Sequence, residues 1–161
     1  MHDMLVRLYA LPLLDPALAH CAAQGVTIRR ALVPEQPAVV AFVRQHFPGA
    51  AAEVDTAFRR LPVTCFIAVR ALQVVGFACH DTTAPNFFGP EGVAPEARGH
   101  GVGRALLLAA LHAQRAQGYA YAIIGGVGPA AFYAKIAGAV DIAGSTPGIY
   151  AGLLPRDPSA S

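Results

Sequence analysis

The pattern of apolar and polar positions predicts a group of strands in the middle of the chain. Two β-rich runs at residues 63–70 and 73–80 are predicted to form a hairpin, although the turn between them contains neither glycine nor asparagine. A further strand is predicted over residues 86–93. Gly89 and Pro90 interrupt its pattern, and because proline cannot donate to a strand ladder, a bulge or an edge position is expected there.

One long amphipathic helix follows these strands. Over residues 101–117 the apolar side chains recur along one face, and Gly118 ends the pattern. A short apolar strand over residues 119–124 and a short helix over residues 128–136 come next. The other predicted elements are strands over residues 4–9, 26–32, 140–143 and 149–154, and helices over residues 13–23, 34–47 and 50–60.

This order of elements predicts an α/β or α+β fold built on a mixed sheet. A chain of 161 residues, of which 55% are hydrophobic, is expected to form one domain with an ample core. We divide it into an N-terminal extension packed on the domain (residues 1–24), the domain itself (residues 25–154) and a C-terminal tail (residues 155–161).

Composition limits the classes of partner. The net charge is only +2 and the basic residues are scattered, so no nucleic-acid partner is expected. The three cysteines show no C-x-x-C spacing and are expected to be buried free thiols, as in a reducing compartment. No apolar run reaches the ~20 residues of a membrane span. We therefore expect a cytoplasmic protein with no membrane partner, and the scattered histidines suggest no metal site.

The segment with the clearest chemistry lies between the strand that ends at Val93 and the long helix. It reads Arg98-Gly99-His100-Gly101-Val102-Gly103-Arg104. Glycines allow backbone N–H groups to approach an anion closely, and a helix N-terminus presents free N–H donors and the positive end of the helix dipole. The segment is therefore predicted to bind a phosphate group.

Two common phosphate motifs are excluded. The dinucleotide motif requires a glycine at the sixth position, where this chain has Arg104 or Leu106, depending on the starting glycine. The P-loop requires Gly-Lys-Ser/Thr, but Lys135 is the only lysine of the chain and Ala134 precedes it.

The loop resembles the acetyl-coenzyme A loop of the GNAT superfamily of N-acetyltransferases, Arg/Gln-x-x-Gly-x-Gly/Ala. About thirty residues downstream, residues 128–139 are similar to the later Phe-Tyr-x-Lys-x-x-Gly-Ala segment of that superfamily, with Tyr133 as its tyrosine. The resemblance covers residues 27–149, and residues 122–129 and 147–150 are similar to one bacterial branch. It implies a mixed, mostly antiparallel central sheet with helices on both faces and with splayed middle strands, here residues 86–93 and 119–124.

The resemblance implies an enzyme that moves an acetyl group from acetyl-coenzyme A to a primary amine by direct attack in a ternary complex. The Val93 N–H would stabilise the oxyanion, and Tyr133 would be the general acid that protonates the leaving thiolate. The residues expected to bind acetyl-coenzyme A are Val93, Ala94, Arg98, Gly99, His100, Gly101, Val102, Gly103, Arg104, Pro129 and Phe132.

Several points stay open at this stage. Glu91 is the first candidate for the general base, because a regular strand would place it on the same side as Val93. His80, Asp81, a chain of waters or an acceptor that arrives neutral are alternatives. The acceptor is a small-molecule amine or a peptide N-terminus, and residues 1–24 could support a homodimer. A non-catalytic acyl-coenzyme A sensor and an interaction protein are the alternative functions.

Overall fold

The computed structural model describes residues 2–154, which form one seven-stranded sheet with helices on both faces. The strands are β1 (Met4–Arg7), β2 (Val26–Arg30), β3 (Cys65–Arg70), β4 (Gln73–His80), β5 (Phe87–Val93), β6 (Tyr121–Ile124) and β7 (Val140–Asp141). The α-helices are α1 (Asp15–Ala22), α2 (Gln36–His46), α3 (Ala51–Ala57), α4 (Val102–Ala116) and α5 (Ala130–Ala137). No helix of this described part is long and apolar enough to cross a membrane.

The strand order is β2-β3-β4-β5-β6-β1-β7, and the only parallel pair among these described strands is β5 with β6. The predicted mixed, mostly antiparallel sheet is thus confirmed. The prediction of a closing strand over residues 149–154 is wrong, because Gly148–Tyr150 forms a single 3-10 turn. The predicted tail, residues 155–161, lies outside the described residues.

Each face of the sheet carries its own hydrophobic core. On one face, α1, α4 and α5 cover β1, β4, β5 and β6, and the fully buried leucines of α4 fill the centre. On the other face, α2 and α3 pack on β3 and β4 through Val39, Val43 and Val54. α4 lies very close to the sheet, since a Cβ added at Gly76 would be 3.0 Å from Leu106 Cδ1. A side chain at position 76 would require Leu106 to shift by a few tenths of an ångström.

The N-terminal segment is part of the sheet as well as of the helical layer. β1 lies between β6 and β7 and pairs antiparallel with both. The chain then passes over α4, where the Pro12 carbonyl lies 2.8 Å from His112 Nε2, and α1 packs against α4 and β2. Residues 2–24 therefore connect the two halves of the sheet across one of its faces.

The backbone is irregular at two places in the central strands, the turn between β3 and β4 and the middle of β5. The predicted hairpin of β3 and β4 is confirmed, and its turn has positive φ at both Ala71 (49°) and Leu72 (61°). This is the type I′ geometry that matches strand twist, here adopted without the usual glycine or asparagine. In β5 the expected bulge is present: Ala78 pairs with Glu91 and His80 with Phe88, so β5 holds one extra residue at Gly89 and Pro90.

We expect Val6→Ala to lower the free energy of unfolding by about 2 kcal/mol, because Val6 is fully buried in an internal strand. Val140→Ala is the matched control, since Val140 belongs to a strand at the edge of the sheet and is 48% exposed. Urea unfolding of the two variants measures the difference. Equal effects would contradict the placement of the N-terminal strand inside the sheet.

Candidate active site

The middle of the sheet opens between β5 and β6. Their pairing comprises only two residue pairs, Phe87 with Ile123 and Phe88 with Ile124. Beyond Phe88 the other edge of β5 stays bonded to β4, as the Ala94 N–H donates to the Val75 carbonyl (2.9 Å). Because successive N–H groups of a strand point to opposite edges, the Val93 N–H points toward the β6 side. A backbone donor therefore faces the gap between the parted strands.

The predicted phosphate loop lies at the end of this gap and leads into α4. Gly99 (φ 79°) and Gly101 (φ 81°) are left-handed, and a Cβ at Gly99 would meet nothing within 4 Å. Gly101 is the N-cap of α4, no side chain caps the helix, and the Ala105 N–H donates to the Gly101 carbonyl. The amides that precede Ala105 in the first turn are thus available to an anion.

The charged residues of the loop are exposed beside these amides. Arg98 Nε donates to the Val93 carbonyl (2.9 Å), so the arginine spans the loop and fixes its shape. His100 and Arg104 are exposed, whereas Ala94 and the Val102 side chain are buried. The structure therefore brings the predicted loop residues together. The side chains of Ala94 and Val102 pack in the core, while their backbone atoms belong to the loop.

Two residues of the N-terminal segment, which the sequence reasoning did not single out, also reach the loop. Gln24 Nε2 donates to the His100 carbonyl and to the His20 carbonyl, at 3.0 Å each. The His20 ring lies so close to Gly101 that an added Cβ would be 2.8 Å from it. A cavity of about 240 Å³ is lined here by Pro16, Ala17, His20, Gly101 and Arg104. Nothing in the sequence pattern indicates a contact between residues 76 positions apart.

Helix α5 closes the other side of the gap. Pro129, exposed, is its N-cap, and Phe132 reaches the first turn of α4, where its Cζ would be 3.5 Å from a Cβ at Gly103. Tyr133 is only 9% exposed and packs edge-on against Phe132 and Phe88, with ring centroids 5.2 and 6.1 Å away. Burial, and then the charge of Glu91, raise the pKa of Tyr133, so the phenol keeps its proton at neutral pH.

Glu91 lies between β5, α4 and α5. The bulge at Pro90 places Phe88, Glu91 and Val93 on the same face, where a regular strand would have aligned Phe87 instead. Glu91 Oε1 is buried, has no hydrogen-bond partner within residues 2–154, and would be 3.5 Å from a Cβ at Gly103. Burial raises the pKa of Glu91 to about 8. This carboxyl can therefore gain or lose a proton near neutral pH.

A second cavity, of about 300 Å³, opens on the other face of the sheet. Its lining residues are Phe47, Pro48, Gly49, Ala50, Glu53, Pro90 and Glu91. A Cβ added at Gly92 would be 2.8 Å from the rings of Phe47 and Phe77, so β5 carries no side chain there between Glu91 and Val93. The two rings therefore fill the space over Gly92, and the cavity reaches β5 at Pro90 and Glu91.

The titratable residues at the end of β4 lie in closed surroundings. His80 is fully buried, with its Nδ1 2.6 Å from Asp81 Oδ2, and burial lowers its pKa. Cys79 is also fully buried, and burial raises the pKa of its thiol well above the usual range, which removes its nucleophilic character. All three cysteines are free and buried, as predicted. Residues 2–154 contain no group of three side chains arranged for a metal ion.

The fold is shared with solved acetyltransferases. One such structure is the GCN5-related glucosamine N-acetyltransferase region of a fungal multi-domain GH3 beta-N-acetylglucosaminidase. It has a TM-score of 0.72 at 16% sequence identity, and the match covers 88% of this chain and 19% of that one. A GCN5-related N-acetyltransferase from Sphaerobacter thermophilus has a TM-score of 0.63 at 19% identity, over 88% of this chain and 48% of that one. The chain thus spans about a fifth and about half of the lengths of these two structures.

No curated protein matches the chain in sequence. A family model described as the acetyltransferase (GNAT) domain does match, over residues 62–136, which run from the hairpin through the phosphate loop and α4 into α5. This match assigns residues 62–136 to the GNAT superfamily of acetyltransferases, and the chain as a whole shares the fold of the two solved structures.

Proposed function

We propose that this protein transfers an acetyl group from acetyl-coenzyme A to a primary amine by direct attack in a ternary complex. The observation that carries the proposal is the uncapped, glycine-lined N-terminus of α4 at the end of the gap between β5 and β6. These free amides support an anion site beside the opening that the Val93 N–H faces. The membership of the GNAT superfamily supports acyl transfer as the general reaction.

The diphosphate of coenzyme A binds at the first turn of α4. The amides of Val102, Gly103 and Arg104 donate to its oxygens, and Arg98 and Arg104 add positive charge. Charge-assisted hydrogen bonds contribute roughly 1.5–3 kcal/mol each, so three or four approach the roughly 8 kcal/mol of micromolar binding before ordering costs. The pantetheine arm then enters the gap beside Phe132.

The thioester carbonyl accepts a hydrogen bond from the Val93 N–H, which stabilises the oxyanion as the amine attacks. A carbon–nitrogen bond forms, the carbon–sulfur bond breaks, and the coenzyme leaves as a thiolate. Tyr133 donates its proton to that thiolate. The phenol carries its proton at neutral pH before each transfer, and its raised pKa makes the donation to the thiolate uphill.

Glu91 is the general base of the proposal. A pKa of about 8 suits a group that takes a proton from an amine near neutral pH and returns it to water. Its charge also raises the pKa of Tyr133, which lies on the same side of the gap. We place the enzyme in the cytoplasm, because its three buried free thiols suit a reducing compartment.

Gly99→Asp is expected to weaken acetyl-coenzyme A binding at least tenfold, because a carboxylate in the open space above Gly99 repels the diphosphate. Gly118→Asp is the matched control: Gly118 also has positive φ (99°) and open space, but it lies at the far end of α4. Calorimetric titration measures both affinities. Equal dissociation constants for the two variants would remove the phosphate site from this loop.

Tyr133→Phe is expected to lower kcat at least tenfold, about 1.4 kcal/mol of transition-state stabilisation, and to leave acetyl-coenzyme A affinity nearly unchanged. Tyr121→Phe is the control, because Tyr121 is 44% exposed and outside the gap. Release of free coenzyme A thiol over a panel of amines provides the rate. Full turnover in Tyr133→Phe would exclude the general-acid role, and tight binding without turnover on any amine would favour a sensor domain.

Glu91→Gln tests the electrostatics of the gap through stability. The pKa of Glu91 is raised from 4.5 to about 8 on folding, so the folded state binds the extra proton and stability is lost as the pH rises through this range. We expect the wild type to lose at least ~1 kcal/mol relative to Glu91→Gln between about pH 5 and pH 9. Urea unfolding of both proteins across this range gives the difference, and parallel curves would show that the carboxyl is solvated.

A further inference from the structure

We call the cavity on the α2–α3 face the acceptor cavity. Its lining residues are Phe47, Pro48, Gly49, Ala50, Glu53, Pro90 and Glu91. It reaches β5 at Pro90 and Glu91, two residues before the amide that is proposed to hold the thioester oxygen. The phosphate loop lies by contrast at the N-terminus of α4, on the other face of the sheet. A second substrate can therefore approach the gap from this cavity while the coenzyme occupies the other side.

The acceptor cavity is apolar except for carboxyl groups. Its walls are an aromatic ring, two prolines, an alanine and a glycine, and no lining residue is basic. The Glu91 carboxyl turns away toward Gly103 of α4, which leaves Glu53 as the acidic side chain on the α3 wall. A hydroxyl donor fixes Glu53 in place, as Thr83 Oγ1 donates to its Oε1. The wall thus offers one fixed negative charge within an apolar surface.

A fixed carboxylate in an apolar cavity selects the charge of what binds beside it. It attracts a cation and repels an anion. We assign the reacting amine to the end of the acceptor near Glu91, the proposed base, and the cation held by Glu53 to a second group of the acceptor. The negative charge of Glu53 therefore suits a second cationic group, distant from the nitrogen that receives the acetyl group.

We propose that the acceptor is a small diamine: a short apolar chain with the reacting primary amine at one end and a second ammonium group, bound by Glu53, at the other. This inference rests on the proposed function. A cavity of about 300 Å³ is at the lower end of small-molecule sites and suits a chain of a few carbons. Amino acids, which carry a carboxylate in place of the second ammonium, are disfavoured.

Three acceptors of similar length that differ at the far end test the proposal: 1,4-diaminobutane, n-butylamine and 4-aminobutanoate. With acetyl-coenzyme A and the full-length protein, we expect kcat/KM for the diamine to exceed that for butylamine at least tenfold, with aminobutanoate the poorest. Glu53→Gln is expected to abolish the preference by raising KM for the diamine, with little change in kcat. Glu53→Lys is expected to reverse the order of the diamine and aminobutanoate.

Asp55→Asn is the matched control on the same helix, because Asp55 is held by Arg59 and Gln36 and does not line the cavity. It should retain the wild-type order of the three acceptors. Similar kcat/KM for the three compounds in the wild type, or a diamine preference that survives Glu53→Gln, would overturn the inference while leaving amine acetylation intact.

A binding experiment without acetyl transfer tests this inference independently of the proposed function. Calorimetry with protein saturated in coenzyme A measures the affinity for 1,4-diaminobutane and for butylamine without any transfer step. Diamine binding that is at least tenfold tighter, and that weakens in Glu53→Gln, supports the cavity assignment even where no thiol is released, in which case the transferase proposal alone fails. Equal affinities for the two amines would overturn the assignment of Glu53.

Discussion

The early parting of β5 from β6 is the constraint on which the rest of the site depends. Only two residue pairs join the two strands, although each remains bonded to its other neighbour. The gap leaves the Val93 amide facing an opening, brings the first turn of α4 to one end of it and lets α5 cover its side. A sheet paired along its full length would satisfy that amide and close the space between the two helices.

The same gap accounts for the unusual electrostatics beside it. The bulge at Gly89 and Pro90 keeps Glu91 on the face of Val93, under the first turn of α4, where burial raises its pKa to about 8. Tyr133 shares this enclosed space, and its pKa is raised partly by Glu91. A buried carboxyl oxygen without a hydrogen-bond partner, such as Glu91 Oε1, costs stability. Its presence at the parted strands is in line with a site at which protons are exchanged.

The site also depends on segments far away along the chain. The N-terminal segment pairs in the sheet through β1, crosses α4 and then supports the phosphate loop through His20 and Gln24. Glu53, on α3, faces β5 from the opposite side of the sheet. The two substrates of the proposed reaction would therefore meet at one strand from opposite faces, each held by elements that the sheet positions.

The amino-acid sequence by itself determined the local features. Helix and strand periodicity indicated α4 and the hairpin, the interruption at Gly89 and Pro90 indicated the bulge, and the glycines between Arg98 and Arg104 indicated an anion site, because each depends on neighbouring residues only. Tertiary structure alone decided which distant residues meet. The contact of Gln24 with the phosphate loop, the burial of Glu91 and the place of Glu53 beside β5 follow from strand order and helix packing, which leave no trace in local sequence pattern.

The prediction of a last strand was wrong for the same reason. The β propensity of residues 149–154 cannot show whether a partner strand is within reach, and β1 already occupies the place beside β6.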